Sequence, residues 1–120
     1  MSPVTAPPRR TDKPWGYELL FAHTPHYLGK ILHINAGESL SLQYHENKFE
    51  TIFVIKGVAD IETRPEGMPV IVRLGEGQAF DIPAGTVHRF SSPGGCDLAE
   101  VSTPHPDDVV RLEDRYGRIP

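Results

Sequence analysis

The chain of 120 residues has a single cysteine, Cys96, and no long apolar segment. One cysteine excludes an internal disulfide and a zinc site built on several cysteines, and it indicates a reducing, cytoplasmic setting. No apolar run approaches the ~18 residues that a membrane-spanning helix needs, so no membrane partner is expected. Residues 1–13 also lack the apolar stretch of a secretory signal.

Positive charge is scarce as well. Twelve Lys and Arg stand against sixteen Asp and Glu, which gives a formal net charge of −4 with neutral His. Because phosphate contacts need clustered Lys and Arg, we expect no nucleic-acid partner. The length suits a single domain. We expect a flexible or extended N-terminal arm over the proline-rich residues 1–13 and one domain over residues 14–120.

Turn-forming residues are abundant. Twelve Pro and eleven Gly divide the chain into short apolar segments and leave little room for long helices. Segments such as residues 27–34 and 49–55 are rich in residues that favour strands. Many short strands at this spacing predict an all-β sandwich or a closed barrel. The acidic pair Asp107 and Asp108 would suit the first turn of a helix, so we expect a short helical or irregular C-terminal tail.

Four side chains are suited to binding a metal ion. Gln43 and His45 are two positions apart in an alternating stretch, so they point to the same face of a strand. Glu50 opens the next predicted strand, and His88 follows a tight turn at residues 83–85. An amide oxygen, two imidazoles and a carboxylate suit zinc, iron, manganese or nickel. The alternative interpretation is a polar barrel mouth that holds no metal.

Two glycine-bounded motifs enclose these residues. In the first, five residues separate Gly37 from Gln43, and His45, Glu50 and Gly57 follow at fixed spacing. This pattern resembles the first motif of the cupin superfamily, in which a histidine usually stands at the position of Gln43.

The second motif begins at Gly77, continues with Pro83 and Gly85 and ends at His88. It matches the second cupin motif up to the histidine, and Ser92 stands where an asparagine usually follows. The resemblance implies an all-β, double-stranded β-helix, the jelly-roll barrel of the cupins. It also implies one divalent metal ion, with zinc the first expectation. The implied metal ligands are Gln43, His45, Glu50 and His88.

The chain is similar, more narrowly, to the cupin domain of type II mannose-6-phosphate isomerases, which is often fused to mannose-1-phosphate guanylyltransferase. The similarity covers residues 13–118 and includes the glutamine at the first ligand position. It implies a sugar-phosphate aldose–ketose isomerase, a sugar phosphate as substrate and a homodimer. The shared segments are PWG at 14–16, LSLQ at 40–43, IPAGTVHR at 82–89 and DDVVRLEDRYGR at 107–118.

The first motif departs from this group around its ligands. The isomerase pattern HHHRAEHW corresponds to HENKFETI at residues 45–52. Both ligand positions in this stretch are kept, but Glu46 and Asn47 replace histidines and Lys48 replaces an arginine. Lysine is not equivalent to arginine at a site that binds an anion with two hydrogen bonds, so the departure bears on the substrate. We expect Lys48 to bind a phosphate or carboxylate of the substrate.

Several assignments stay open on the sequence alone. The general base of an isomerase could be Glu100 or His33. Arg111 and its neighbours in the tail either correspond to family residues or form a solvated face. Two other functions also stay open, a small metal-dependent dioxygenase and a non-catalytic sugar-binding or regulatory cupin.

Overall fold

The computed structural model describes residues 7–119, which form twelve β-strands and one short 3₁₀ turn at Pro65–Gly67. The strands are β1 Arg9–Lys13, β2 Gly16–His23, β3 Leu28–Ile34, β4 Glu38–Ser39, β5 Leu42–Tyr44, β6 Glu50–Gly57, β7 Ala59–Thr63, β8 Val70–Leu74, β9 Ala79–Ile82, β10 His88–Ser92, β11 Cys96–Ser102 and β12 Val110–Glu113. The predicted all-β class is confirmed. No helix in the described part of the chain is long and apolar enough to cross a membrane.

The strands form two antiparallel sheets. The first has the order β1-β2-β3-β11-β6-β9, and the second has the order β12-β5-β10-β7-β8 with β4 also paired to β10. Strands that are distant in sequence lie side by side, as β3 and β11 do through seven paired residues. This crossing of the chain between two facing sheets is the jelly-roll arrangement that the sequence predicts.

Alternation along β6 shows how the interior is built. Ile52 and Val54 are fully buried, whereas Phe53 and Ile55 face outward and are exposed. Each fully buried aliphatic side chain contributes about 1.5–3 kcal/mol of transfer free energy. Glu50 lies on the same inward face at the start of the strand and is also buried. The interior therefore has an apolar end that stabilises the fold and a polar end that contains buried ionisable side chains such as Glu50.

The N-terminal arm is structured over its last residues. Residues 9–13 form β1, which pairs with β2 in a hairpin, so this part of the arm is extended. Residues 1–6 lie outside the described residues. The hairpin turn depends on Gly16, whose φ is +153°. A Cβ atom there would lie 1.9 Å from the carbonyl oxygen of His33, so any side chain would displace β3.

The C-terminal tail forms a strand rather than the short helical or irregular segment that was expected. Val110–Glu113 pairs with β5 as the last strand of the second sheet. Without it, β5 would present an unpaired edge, and pairing satisfies these backbone groups. Valine at positions 109 and 110 also favours a strand. Tertiary pairing therefore overrides the helical charge pattern, and the tail closes the polar end of the barrel.

Candidate metal centre

The polar end of the interior brings together three of the predicted metal ligands. His45 follows β5, Glu50 opens β6 and His88 opens β10. One ligand atom from each lies within 4.8 Å of the other two. Nε2 of His45 is 3.6 Å from Oε2 of Glu50, and Nε2 of His88 is 3.4 Å from Oε1 of the same carboxylate. Ligands that each stand about 2.0–2.2 Å from one ion have separations of this order, so the cluster could hold a metal.

The ligand atoms of the cluster are buried and lack hydrogen bonds. Nε2 of His45, Nε2 of His88 and both carboxylate oxygens of Glu50 make no hydrogen bond, although Nζ of Lys48 lies 3.0 Å from Oε2 of Glu50 as an ion pair. The exposed fractions of these three residues are only 4%, 1% and 1%. A buried polar atom left unsatisfied costs about 1–3 kcal/mol. One divalent cation between them would compensate all of these atoms, so the residues present fit a metal ion.

The other ring nitrogens orient both histidines. Nδ1 of His88 donates to the carbonyl oxygen of Thr86 at 2.8 Å, and Nδ1 of His45 donates to the carbonyl oxygen of Asp108. A ring that donates through Nδ1 presents a lone pair on Nε2. Burial lowers the pKa of His45 although Glu50 opposes this effect. Both rings therefore aim an electron pair at the centre of the cluster.

Asp108 fixes the loop between β5 and β6. Its carboxylate accepts hydrogen bonds from the backbone N–H groups of Glu46, Asn47 and Lys48 at 3.0, 2.7 and 2.9 Å. These bonds, the one from Asn47 first, hold the pKa of Asp108 below its usual value. Because its carbonyl group also binds His45, Asp108 positions a proposed metal ligand. Sequence reasoning missed this role, and its one signal was the acidic pair inside the shared C-terminal segment.

Lys48 is buried between two carboxylates. Its Nζ atom lies 3.0 Å from Oε2 of Glu50 and 2.9 Å from Oε2 of Glu100. Burial alone would lower the pKa of Lys48, but Glu100 and Glu50 raise it above its usual value. Burial raises the pKa of Glu100, whereas His88 and Lys48 lower that of Glu50 against its own burial. Lys48 thus neutralises a buried acidic pair, and its contact with a substrate stays a prediction.

Gln43 lies beside the cluster. It is directly opposite His88 in the pairing of β5 with β10. Its Oε1 atom accepts a hydrogen bond from Oγ of Ser41 at 2.6 Å. A carbonyl oxygen has a second lone pair, so this bond leaves room for a metal–oxygen contact. The assignment of Gln43 as the fourth ligand stays a prediction.

A pocket of about 330 Å³ opens over these residues. Gln43, His45 and Glu50 form part of its wall, and Glu100 lies in the same wall. His33 does not, which corrects the suggestion that it could act as the base. It bonds to Asp97 through Nδ1 at 2.5 Å and belongs to a separate surface pocket. Its position on β3 between Leu32 and Ile34, which point inward, turns it to the outer face.

Known proteins and a protein family resemble this chain over most of its length. A family model described as mannose-6-phosphate isomerase C-terminal matches residues 5–114. ManC, the mannose-1-phosphate guanylyltransferase of Salmonella typhimurium, is 38% identical over 117 residues. The mannose-1-phosphate guanylyltransferase of Escherichia coli is 37% identical over 117 residues. Both alignments cover 92% of this chain but 23% of the relative, so the chain spans about a quarter of these proteins.

Solved structures confirm the cupin fold. An RmlC-like cupin from Shewanella frigidimarina has a TM-score of 0.73 at 17% identity, covering 83% of this chain and 86% of its own. KdgF from Halomonas has a TM-score of 0.71 at 23% identity, covering 82% of this chain and 88% of its own. CapF from Staphylococcus aureus has a TM-score of 0.80 at 18% identity, covering 91% of this chain and 32% of its own.

The names of the relatives correct the expected activity. They are guanylyltransferases, which contradicts the aldose–ketose isomerase that the motifs implied. The shared motifs describe the barrel and its proposed metal ligands, and the same barrel serves different reactions. The resemblance was therefore right for the fold and wrong for the reaction.

Proposed function

The chain belongs to the family described as mannose-6-phosphate isomerase C-terminal, and on this premise we propose that it is a divalent-metal-binding cupin whose pocket binds a phosphorylated mannose. By their names, its relatives act in mannose-1-phosphate guanylyl transfer. We propose that this chain serves an enzyme that handles the same class of sugar phosphate. The cytoplasmic setting and the lack of a nucleic-acid partner remain predictions.

The observation that carries the proposal is the set of buried ligand atoms on His45, Glu50 and His88 that make no hydrogen bond. These residues would hold the ion, with Gln43 as the fourth ligand. Two imidazoles, a carboxylate and an amide oxygen suit zinc first and also admit iron, manganese or nickel. When bound, such an ion supplies Lewis-acid polarisation of a sugar oxygen.

The remaining polar residues would prepare the pocket for an anionic sugar. Lys48 holds Glu50 and Glu100 in place and neutralises part of their charge. Arg111 and Arg118 line the pocket and place positive charge there, although the protein as a whole is acidic. The volume of about 330 Å³ is within the range of small-molecule sites.

Isothermal titration calorimetry of the zinc-loaded chain tests this proposal. We expect mannose 1-phosphate or mannose 6-phosphate to bind and free mannose to bind much more weakly. The variant His88→Ala should lose this binding together with its metal. An exposed histidine supplies the matched control, His26→Ala, which should bind as the wild type does. Failure of both sugar phosphates to bind a fully metal-loaded chain would reject the proposed function.

A further inference from the structure

The wall of the pocket carries five cationic and five acidic side chains, but two of the cations are not paired with a carboxylate among the described residues. The cationic residues in its wall are Lys13, Lys30, Lys48, Arg111 and Arg118. Three of these are held by carboxylates. The pairs are Lys30 with Glu18, Lys48 with Glu50 and Glu100, and Arg118 with Asp114. Within residues 7–119, Lys13 and Arg111 have no carboxylate within the 4.0 Å of an ion pair.

The acidic residues of the pocket are engaged elsewhere or exposed. Asp108 is bonded to three backbone N–H groups, and Glu100 is paired with Lys48. Asp107 lies in the wall and its side chain is exposed. Lys13 and Arg111 are therefore not paired with a carboxylate of the pocket, and a bound anion would neutralise their charge.

Arg111 is placed toward the proposed metal centre by the strand register. It is directly opposite Gln43 in the pairing of β12 with β5, and Gln43 is directly opposite His88. Residues directly opposite one another across antiparallel strands project from the same face. Two strand spacings separate the backbones of Arg111 and His88 by about 10 Å. A β-bulge follows Arg111, and such irregularities redirect side chains beside functional sites.

One atom of Arg111 is conspicuous. Its Nε is buried and has no hydrogen-bond partner, the only such cationic nitrogen among the described residues. An unsatisfied donor on a charged group is costly to bury. Phosphate oxygens match the planar guanidinium, which donates two parallel hydrogen bonds.

We propose that Arg111, with Lys13 in the wall of the same pocket, forms a phosphate-binding subsite across Gln43 from the metal centre. The identity of the ligand as a sugar phosphate rests on the proposed function, whereas the anion site rests on Arg111 itself. The two centres would bind opposite ends of one molecule, the phosphate at Arg111 and sugar oxygens near His45, Glu50 and His88. Arg111 would then determine the preference for phosphorylated over free sugar.

Nuclear magnetic resonance of the ¹⁵N-labelled, zinc-loaded chain tests the subsite directly. The Nε–H resonance of Arg111 is assigned by its loss in Arg111→Met. We expect this resonance to shift when inorganic phosphate, mannose 1-phosphate or mannose 6-phosphate is added, and to stay in place when mannose is added. Arg111→Met should weaken sugar-phosphate binding about tenfold or more, as loss of a charge-assisted hydrogen bond predicts.

Two further variants test whether phosphate binding needs the guanidinium of Arg111 or only positive charge on the protein. Arg9→Met removes the same charge from an exposed position on β1 and should bind like the wild type. Arg111→Lys keeps the charge without the planar donor pair, so its binding should fall between those of the wild type and Arg111→Met. If Arg111→Met does not fold, the loss of the Nε–H resonance in Arg111→Lys assigns it instead. The binding of Arg111→Lys then supplies the comparison with the wild type.

The outcomes distinguish this inference from the proposed function. If sugar phosphates bind and Arg111→Met binds them as Arg9→Met does, the subsite is wrong and the proposed function stands. If inorganic phosphate shifts the Arg111 resonance and no sugar phosphate binds, the subsite stands and the proposed function is wrong. If neither phosphate nor sugar phosphate affects the wild type, both are rejected.

Discussion

Replacing Lys48 with Met removes the positive charge that lies between two buried carboxylates. The ammonium group is 3.0 Å from Glu50 and 2.9 Å from Glu100, and all three residues are at most 4% exposed. Methionine fills a similar volume without charge, so the substitution isolates the electrostatic effect. The two glutamates would then face each other with no counter-charge in the metal-free protein.

We expect this substitution to lower the stability of the folded protein strongly. Removing one partner of a buried ion pair typically destabilises a protein by about 3–5 kcal/mol. For a domain of this size, each kcal/mol corresponds to a shift of roughly 3–6 °C in Tm. We therefore expect the metal-free Lys48→Met variant to melt about 10–30 °C below the wild type at pH 8.

The loss of stability in Lys48→Met should become smaller as the pH falls. Burial already raises the pKa of Glu100, and removing Lys48 raises it further. A carboxyl group whose pKa is higher in the folded than in the unfolded state binds protons preferentially on folding. Protonation of Glu100 therefore stabilises the variant once the pH falls below that raised pKa. A divalent ion beside Glu50 should also stabilise the variant more than the wild type, because Lys48 no longer repels it.

Urea unfolding followed by the fluorescence of Trp15, the single tryptophan, measures this effect. The matched control is Lys56→Met on β6, where the exposed lysine should tolerate the change within about 0.5 kcal/mol. A loss of unfolding free energy below about 1 kcal/mol in Lys48→Met at pH 8 would show that Lys48 does not stabilise a buried acidic pair, because a solvated surface pair contributes no more than this.

Two other predictions concern positioning and assembly. Asp108→Ala should weaken zinc binding about 10–100-fold because it releases the loop that holds His45, whereas Asp107→Ala should leave the affinity unchanged. Competition with a chromophoric chelator measures both, and equal affinities in the two variants would exclude a positioning role. The predicted homodimer has an exposed apolar outer face available on the first sheet, where Phe53 and Val101 are 43% and 56% exposed. Phe53→Glu should convert a dimer into a monomer in light scattering, and a wild type that is already monomeric would contradict the homodimer.

The proposed ligands were predictable because their spacing is set by strand geometry. Strand alternation predicted that Gln43 and His45 share a face, and the cupin resemblance implied that Glu50 and His88 join them. The structure places His45, Glu50 and His88 within one cluster. The approach of His88 depends on the long-range pairing of β10 with β5, which the motifs imply but local pattern does not show.

Other features depended on contacts that the sequence does not display. The tail became β12 because β5 offered an unpaired edge, which overrides local helical preference. Asp108 acts through a loop that is 60 to 62 residues away. Lys48 is buried because Glu100 arrives from β11 to pair with it. The reaction was missed for a different reason, since a barrel and its ligands do not determine the chemistry performed on a bound molecule.

We propose that this barrel holds one divalent ion through His45, Glu50 and His88. Elemental analysis of protein purified without chelators measures it most directly, with His88→Ala and the exposed control His26→Ala in parallel. We expect about one metal ion per chain in the wild type and in His26→Ala, and almost none in His88→Ala. Metal-free wild-type protein, even after incubation with zinc, iron, manganese and nickel, would exclude this metal site.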